Sequence, residues 1–401
     1  MFFLDKPYVS DFLQRSVAGL GLPVLRTPCS DAMIADPGVR LLDDAAFLAA
    51  AREACTLGAS GRPGCAKFYC NSENSVAWIG RHLADTPLPG LIDTCKDKVR
   101  FRELLHDLYP DFFHRGVSLT ELDELDVSGF PFPFIIKPAV GFFSLGVHLV
   151  RSPEHWPAVR ATIRTEVAGL NANYPAAVVG AERYIVEQCA EGDEYALDAY
   201  FDAEGRPVIV NVLRHVFSSD DDVGDRLYYT SPSVVRAHFD AFAELVAAIG
   251  ERGGFRNFPM HLEVRVDPSG RVVPIEANPL RFAGWCVADL TWFAWGVNPY
   301  ELYFRDQAPD WPSLLAAREG RATVMVIADI PADVDRAALK GIDYDKFARA
   351  FETAGATPLE LRRIDWREYP VFAFMFAEIP EDRLGDLDPI LKSDLREFLF
   401  T

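Results

Sequence analysis

The segment HLEVRVDPSGRVVPIEANPLRF, residues 261–282, sets two carboxylates and an amide on what reads as a β-hairpin. Asp267-Pro268-Ser269-Gly270 is a turn signal between two alternating runs, so the expected register pairs Val266 with Arg271 and Glu263 with Pro274. Alternation gathers Leu262, Val264, Val266, Val273, Ile275 and Ala277 on one apolar face, and His261, Glu263, Glu276 and Asn278 on the other. In this register Glu263 and Glu276 are diagonal cross-strand neighbours, close enough to reach one ion or a pair of ions. Like charges that near each other repel unless a proton or a cation sits between them. Oxygen donors with no thiolate nearby suit a hard divalent cation, Mg²⁺ above all.

Two other stretches carry residues of the right types. Lys137, in FIIKPAVGFFSLGV, follows a β run and precedes a loop bounded by Gly141 and Gly146. An ammonium at a strand end, facing a loop whose amides can turn inward, can cradle a polyphosphate. It is not a Walker A loop, because Val147 and His148 stand where Lys and Ser or Thr are required. In VEQCAEGDEY, Glu187 and Glu194 flank a chain reversal that exposes backbone groups at Gln188 to Ala190, a geometry able to read an adenine edge and hold ribose hydroxyls; an exposed acidic turn has the same pattern.

The elements that must position these residues follow from pattern. Up to about residue 95, short apolar runs (MFFL, LPVL, KFYC) alternate with helical patterns at 8–19, 43–57 and 73–84, as in a small α/β unit. PLPGLID, 87–93, reads as a boundary. A helix is expected at 96–108, strand–loop–strand at 131–151, a helix at 153–167, strands at 183–189, 194–201 and 207–213, a polar mobile loop at 218–233, and a helix at 235–251. Beyond residue 300 lies a further α/β portion with strands at 322–329 and 370–379.

Composition narrows the function. The 401 residues imply two or three domains, and 49% apolar content supplies their cores. No apolar run approaches a membrane span, and MFFLDKPYV lacks the basic start of a signal peptide, so a cytoplasmic protein is expected. Seven cysteines without a CxxC pair suit reduced, mostly buried thiols. A net charge of −19 opposes nucleic acid as a partner and suits an enzyme that attracts Mg²⁺ and small cationic or zwitterionic molecules.

Taken together and in this order, Lys98 in "DK", Lys137 in IIKPAVGFFSLGV, Glu187 and Glu194 seven apart, and E-x12-E-x-N at Glu263, Glu276 and Asn278 resemble the ATP-grasp superfamily over roughly residues 1–300. The resemblance implies an α/β chain with a Rossmann-like N-terminal domain (1–95), a two-lobed ATP-grasp domain (96–300) and a C-terminal α/β portion (301–401). It implies that Lys98 and Lys137 contact ATP phosphates beneath the Gly141–Gly146 loop, to which Ser144 adds a hydroxyl. Glu187 and the backbone of Gln188 and Ala190 would read adenine, Glu194 would bind ribose, and Glu263, Glu276 and Asn278 would hold two Mg²⁺. The 141–146 and 218–233 loops would order when nucleotide binds.

The activity implied is ATP-dependent ligation: a carboxylate is activated as an acylphosphate and coupled to an amine, with ADP and phosphate released. Arg281 is the candidate for gripping the acylphosphate, with Arg214 or His215 holding the carboxylate substrate. His261 stands where some carboxylate–amine ligases have arginine, which argues against the D-alanine ligase branch. The expected partners are a small carboxylate and an amine, with neither nucleic acid nor membrane, and self-association as a homodimer is left open. Bicarbonate activation, as in biotin carboxylases, and a non-catalytic ATP-binding regulator are the competing readings.

Overall fold

The computed structural model describes residues 1–56, 66–141, 146–173, 183–219 and 224–400. Four short parallel strands open the chain: β1 (Phe2–Phe3), β2 (Pro23–Leu25), β3 (Arg40–Leu42) and β4 (Tyr69–Cys70), in the order β3-β2-β1-β4. This is the expected Rossmann-like unit. The helix Asp11–Leu20 that links β1 to β2 begins where the Ser10 side chain accepts the Leu13 amide and stops at Gly21, whose φ of 64° belongs to the left-handed region. Where a boundary was expected at 87–93, the chain forms the helix Leu88–Lys96, which buries Leu88, Ile92 and Cys95. Proline in a first helical turn starts a helix as readily as it marks a break, and the spacing of those buried residues is helical.

A second, antiparallel sheet comprises β5 (His114–Ser118), β6 (Phe134–Pro138), β7 (His148–Val150) and β8 (Arg183–Gln188), in the order β5-β8-β6-β7. Trp156, Val159, Ile163 and Val167 of the helix Trp156–Asn173 share its core with Phe134, Ile136 and Val150.

The central sheet has eight strands: β9 (Asp193–Phe201), β10 (Pro207–Val216), β11 (Leu227–Thr230), β12 (Phe258–Val266), β13 (Val272–Pro279), β14 (Arg321–Asp329), β16 (Thr357–Arg363) and β17 (Val371–Pro380). Their order is β13-β12-β9-β10-β11-β14-β17-β16, so the last hundred residues extend the same sheet, while β15 (Gly341–Ile342) pairs apart with β18 (Leu399–Phe400). The expected polar loop at 218–233 is shorter than its composition suggested. Leu227, Tyr228 and Tyr229 have strand-forming side chains, and Ser231 caps the next helix by accepting the Val234 amide. Residues 220–223, within that loop, lie outside the described residues.

That helix, Pro232–Gly253, decides which face of the sheet is core. Val235, Phe242, Val246 and Ile249 are fully buried and cluster with Leu197, Val212, Leu262 and Val264. Burial of each such side chain contributes about 1.5–3 kcal/mol. The opposite face of β9, β12 and β13 is left to polar side chains. No described helix is long and apolar enough to cross a membrane. Six described cysteines are free thiols, but only Cys70 and Cys95 are buried, fewer than expected.

The connector from β8 to β9 depends on one glycine. Gly192 has φ 94°, and a Cβ there would lie 2.0 Å from the Val266 carbonyl oxygen. Gly192→Ala should therefore cost about 3 kcal/mol in urea unfolding, from a left-handed backbone combined with a clash against main chain. Gly254→Ala, at φ 66° with nothing within 4 Å of the added carbon, should cost only about 1 kcal/mol. Equal losses at the two sites would show that β8, β9 and β12 do not meet so closely.

Candidate functional site

The hairpin β12–β13 is where the carboxylates meet. Its turn is one residue longer than expected, because the Asp267 carboxylate accepts the amides of both Ser269 (2.8 Å) and Arg271 (3.0 Å). Val266 thus pairs with Val272, and Val264 with Pro274. The register then shifts by one residue at Ile275, a β-bulge, so that Glu263 faces Glu276 directly, not diagonally, and His261 faces Asn278. Val272 takes the place on the core side that alternation had assigned to Val273.

With β9 alongside, two polar rows cross three strands: Asp198–His261–Asn278, and Ala196–Glu263–Glu276. The Glu263 carboxyl is pushed well above the ordinary carboxylate range, by burial first and then by Glu276, Glu194 and Asp225, with Arg281 opposing. Glu276 is drawn toward Lys98, whose Nζ lies 3.0 Å from it and also donates to the Gly141 carbonyl at 3.3 Å. Lys98 is raised from its usual range: burial lowers it, and the pairing with Glu276 outweighs burial. Asn278 turns its Nδ2 toward Glu263 (3.4 Å), while its Oδ1 accepts from Arg281 (2.8 Å). Metal ligation through this amide requires the oxygen to turn toward Glu263. Among the described residues no three His, Cys, Asp or Glu side chains are gathered to hold a metal. The hairpin offers two carboxylates and an amide, oxygen donors of the kind a hard divalent cation takes.

The "DK" pair divides its work. Asp97 caps the helix Lys98–Leu104 by accepting the amides of Val99 and Arg100, and its second oxygen takes Arg183 of β8 (2.8 Å). One turn further, Arg102 and Lys137 share Glu187: Arg102 Nε lies 2.7 Å from one oxygen and Lys137 Nζ 2.8 Å from the other. Burial alone would raise the Glu187 carboxyl, but Arg102 and then Lys137 pull it down to about 2. In this state Glu187 therefore holds the two cations, with both oxygens engaged. Arg102, stacked on Phe112, keeps Nη1 buried with no hydrogen-bond partner among the described residues. Arg102 escaped the sequence reading, although its spacing of four from Lys98 on a helix was a usable signal. Glu73 and Lys96, 2.5 Å apart beside Arg281, carried none.

The remaining candidates separate. Glu194 is held by His215 Nδ1 (2.9 Å) and by Arg265 (3.1 Å), which overcome its burial and lower its carboxyl. His215 stacks on Tyr228 and turns its Nε2 to the Gly224 carbonyl at 3.1 Å, so both ring nitrogens face acceptors and neither is open to a substrate carboxylate. Arg214 points to the other face of β10, over the Tyr195 ring and 2.6 Å from Asp193, because side chains alternate along a strand; it does not join the polar rows. The Gln188 side chain and amide both bond Phe113, and Ala190 is half-buried. Gly146 has φ 73°, whereas Ser144 lies outside the described residues.

These residues fit a polyphosphate with a hard divalent cation. Lys98, Lys137 and Arg102 are buried cations, one guanidinium nitrogen has no hydrogen-bond partner among the described residues, and the acidic donors are all oxygen. The Glu187 network also gives a pH signature. The folded carboxyl sits at about 2 against an ordinary 4.5, so its contribution, on the order of 3 kcal/mol, is present above about pH 4.5 and is lost as pH falls toward 2. Glu187→Gln should remove that share of the acid dependence of the urea midpoint; an unchanged slope would mean that the pair is not formed.

Comparisons with known proteins bear on the fold. A family model for the ATP-grasp domain matches residues 130–289. No curated protein sequence matches the chain. Among solved structures, an L-amino acid ligase from Bacillus licheniformis is similar at TM-score 0.68 and 14% identity, over 99% of this chain and 97% of that one. The biotin carboxylase domain of 2-oxoglutarate carboxylase from Hydrogenobacter thermophilus, in complex with MgADP, ADP and bicarbonate, is similar at 0.62 and 12%, over 100% and 96%. N5-carboxyaminoimidazole ribonucleotide synthetase from Thermotoga maritima is similar at 0.61 and 14%, over 100% and 98%. The domain model thus covers the strand of Lys137 through the β12–β13 hairpin, so residues 130–289 match the ATP-grasp domain, and the neighbours that span the chain show the ATP-grasp fold.

Proposed function

We propose that the protein is an ADP-forming ligase that activates a small carboxylate as an acylphosphate and couples it to an amine. The observation that carries this is the direct opposition of Glu263 and Glu276, with Lys98 on Glu276, Lys137 and Arg102 buried on Glu187, and Arg281 just beyond the same strand. Opposed carboxylates are costly unless a cation joins them, and buried Lys and Arg beside them suit phosphate oxygens.

In this reading Glu263, Glu276 and Asn278 hold two Mg²⁺, which supply charge neutralisation at the β and γ phosphates. Lys98, Lys137 and Arg102 grip those phosphates, Glu187 fixes the latter two, Glu194 takes the ribose, and the backbone at Gln188 and Ala190 meets the base. The substrate carboxylate attacks the γ-phosphorus, ADP leaves, and the amine then attacks the acyl carbon as phosphate departs. Arg281, positioned through Asn278, stabilises the oxyanion. Residues 1–95 would cover the carboxylate side of the cleft, 96–300 the nucleotide, and 301–401 the outer wall.

A screen of carboxylate and amine pairs for phosphate release tests the reading, with hydroxylamine replacing the amine to trap a hydroxamate. ADP and phosphate are the expected products, and stoichiometric AMP would overturn the mechanism. ATP cleavage with bicarbonate alone, and no hydroxamate from any carboxylate, would assign bicarbonate activation. Glu276→Gln should abolish turnover while the fold is retained. Arg281→Ala should lower turnover about a hundredfold, equivalent to about 3 kcal/mol, with little change in ATP binding. Wild-type rates in Arg281→Ala would remove that residue from the chemistry.

A further inference from the structure

We propose that His261 is a nitrogen ligand of the divalent ion at the Glu263 end of the hairpin, an inference that rests on the hairpin being a metal site. Two neighbouring cross-strand pairs on β12 and β13 make four corners on one face: Glu263 opposite Glu276, and His261 opposite Asn278. Three of these corners are the oxygen donors already described. The fourth is an imidazole only 5% exposed.

The ring is not a satisfied core histidine. Its Nδ1 lies 2.8 Å from Asp198 Oδ1, and that same oxygen accepts the Ala283 amide at 2.8 Å. A carboxylate oxygen that accepts from a backbone N–H is an acceptor for the ring as well, so Nδ1 carries the hydrogen and Nε2 presents a lone pair. Among the described residues Nε2 makes no hydrogen bond, and it faces Glu263 Oε1 at 3.8 Å. That separation is spanned by one ion at about 2.1 Å from each atom. A carboxylate behind the imidazole that fixes its tautomer is the arrangement by which proteins aim histidine at a metal. Asp198 is itself fully buried, and because its backbone bond is to Ala283 it locks the ring to the loop that carries Arg281.

The set at this end is then Glu263, His261 and the Asn278 amide, since Lys98 draws Glu276 toward the phosphate side. A mixed nitrogen and oxygen set raises affinity for Mn²⁺ over Mg²⁺ relative to an all-oxygen set.

Pulsed EPR on untagged protein loaded with Mn²⁺ and ADP tests this. The bound ion should show ³¹P coupling from the nucleotide together with ¹⁴N coupling from an imidazole. His261→Gln should lose the ¹⁴N coupling and bind Mn²⁺ about tenfold more weakly, with a smaller change for Mg²⁺. His215→Gln, which alters the other imidazole near the site, should retain the coupling, so the assignment survives even if His261→Gln does not fold. Phosphorus coupling without nitrogen would overturn the role of His261 and leave the metal site standing. Absence of both couplings would overturn the metal site itself. Nitrogen coupling that persists in His261→Gln, or vanishes in His215→Gln, would assign the ligand to another histidine and overturn the inference.

Discussion

Two carboxylates that face each other across a bulged hairpin set the terms for the rest of this molecule. Without the bulge at Ile275, Glu276 would fall on the core side of β13, because alternation is strict and a shift of one residue inverts every side chain beyond it. With the bulge, Glu276 meets Glu263, and the sheet must then supply cations or accept one. It does both. Lys98 neutralises Glu276, while Glu263 has no Lys or Arg partner among the described residues and is held well above the usual carboxylate range by burial and by Glu276. About a third of the Glu263 side chain, 32%, is exposed, so its carboxyl stays within reach of an ion from solvent.

The buried ion pairs around this centre do not read as stabilising devices. Removing two charges from water costs several kcal/mol per ion, and a well-packed apolar pair is often equal or better. Glu187 with Arg102 and Lys137, and Glu194 with His215 and Arg265, instead hold long side chains in single geometries. Among the described residues the buried Arg102 Nη1 has no hydrogen-bond partner, which fits the proposed anion site. The acidic and basic members of each group come from different elements, so the pairs also fix how the small sheet sits against the helix that follows Asp97.

What could be read before the structure was whatever obeys a short-range rule. The period-two alternation of 258–279, the lysine after the IIK strand and the acidic pair around the β8–β9 connector are all local, and their elements stand within a few residues of where pattern placed them. The misses have physical causes. The register of the hairpin turned on whether Asp267 accepts one amide or two, which composition does not encode. Arg214 and His215 are adjacent cations that alternation sends to opposite faces, so only one of them could have joined the polar rows, and that one is consumed by Glu194. Glu73 and Lys96 reach the site through tertiary packing, whereas Arg102 follows Lys98 by four residues on one helix. The pattern places 227–233 within a polar mobile loop at 218–233 because a polar run precedes it, although Tyr228 and Tyr229 pair with Met325 and Val324 of β14.

The segment after Asn278 shows how the distant parts of the chain bear on the chemistry. Leu280, Trp285 and Cys286 all have positive φ, a conformation that non-glycine residues adopt at a cost of about 1–3 kcal/mol each and keep only where the surroundings enforce it. The enforcement comes from three directions. The N-terminal unit donates the Cys70 amide to the Leu280 carbonyl at 2.7 Å, the central sheet takes the Ala283 amide on Asp198, and the last portion of the chain inserts Arg362 against Asp289 at 2.6 Å, where Tyr300 also donates. Asp289 is wholly buried, so loss of Arg362 would leave an uncompensated charge beneath this loop. Arg281 sits in the middle of the segment, with its guanidinium on Asn278. Its position is therefore set jointly by all three portions of the chain, which explains why strands as remote as β16 belong to the same architecture as the hairpin that holds the carboxylates.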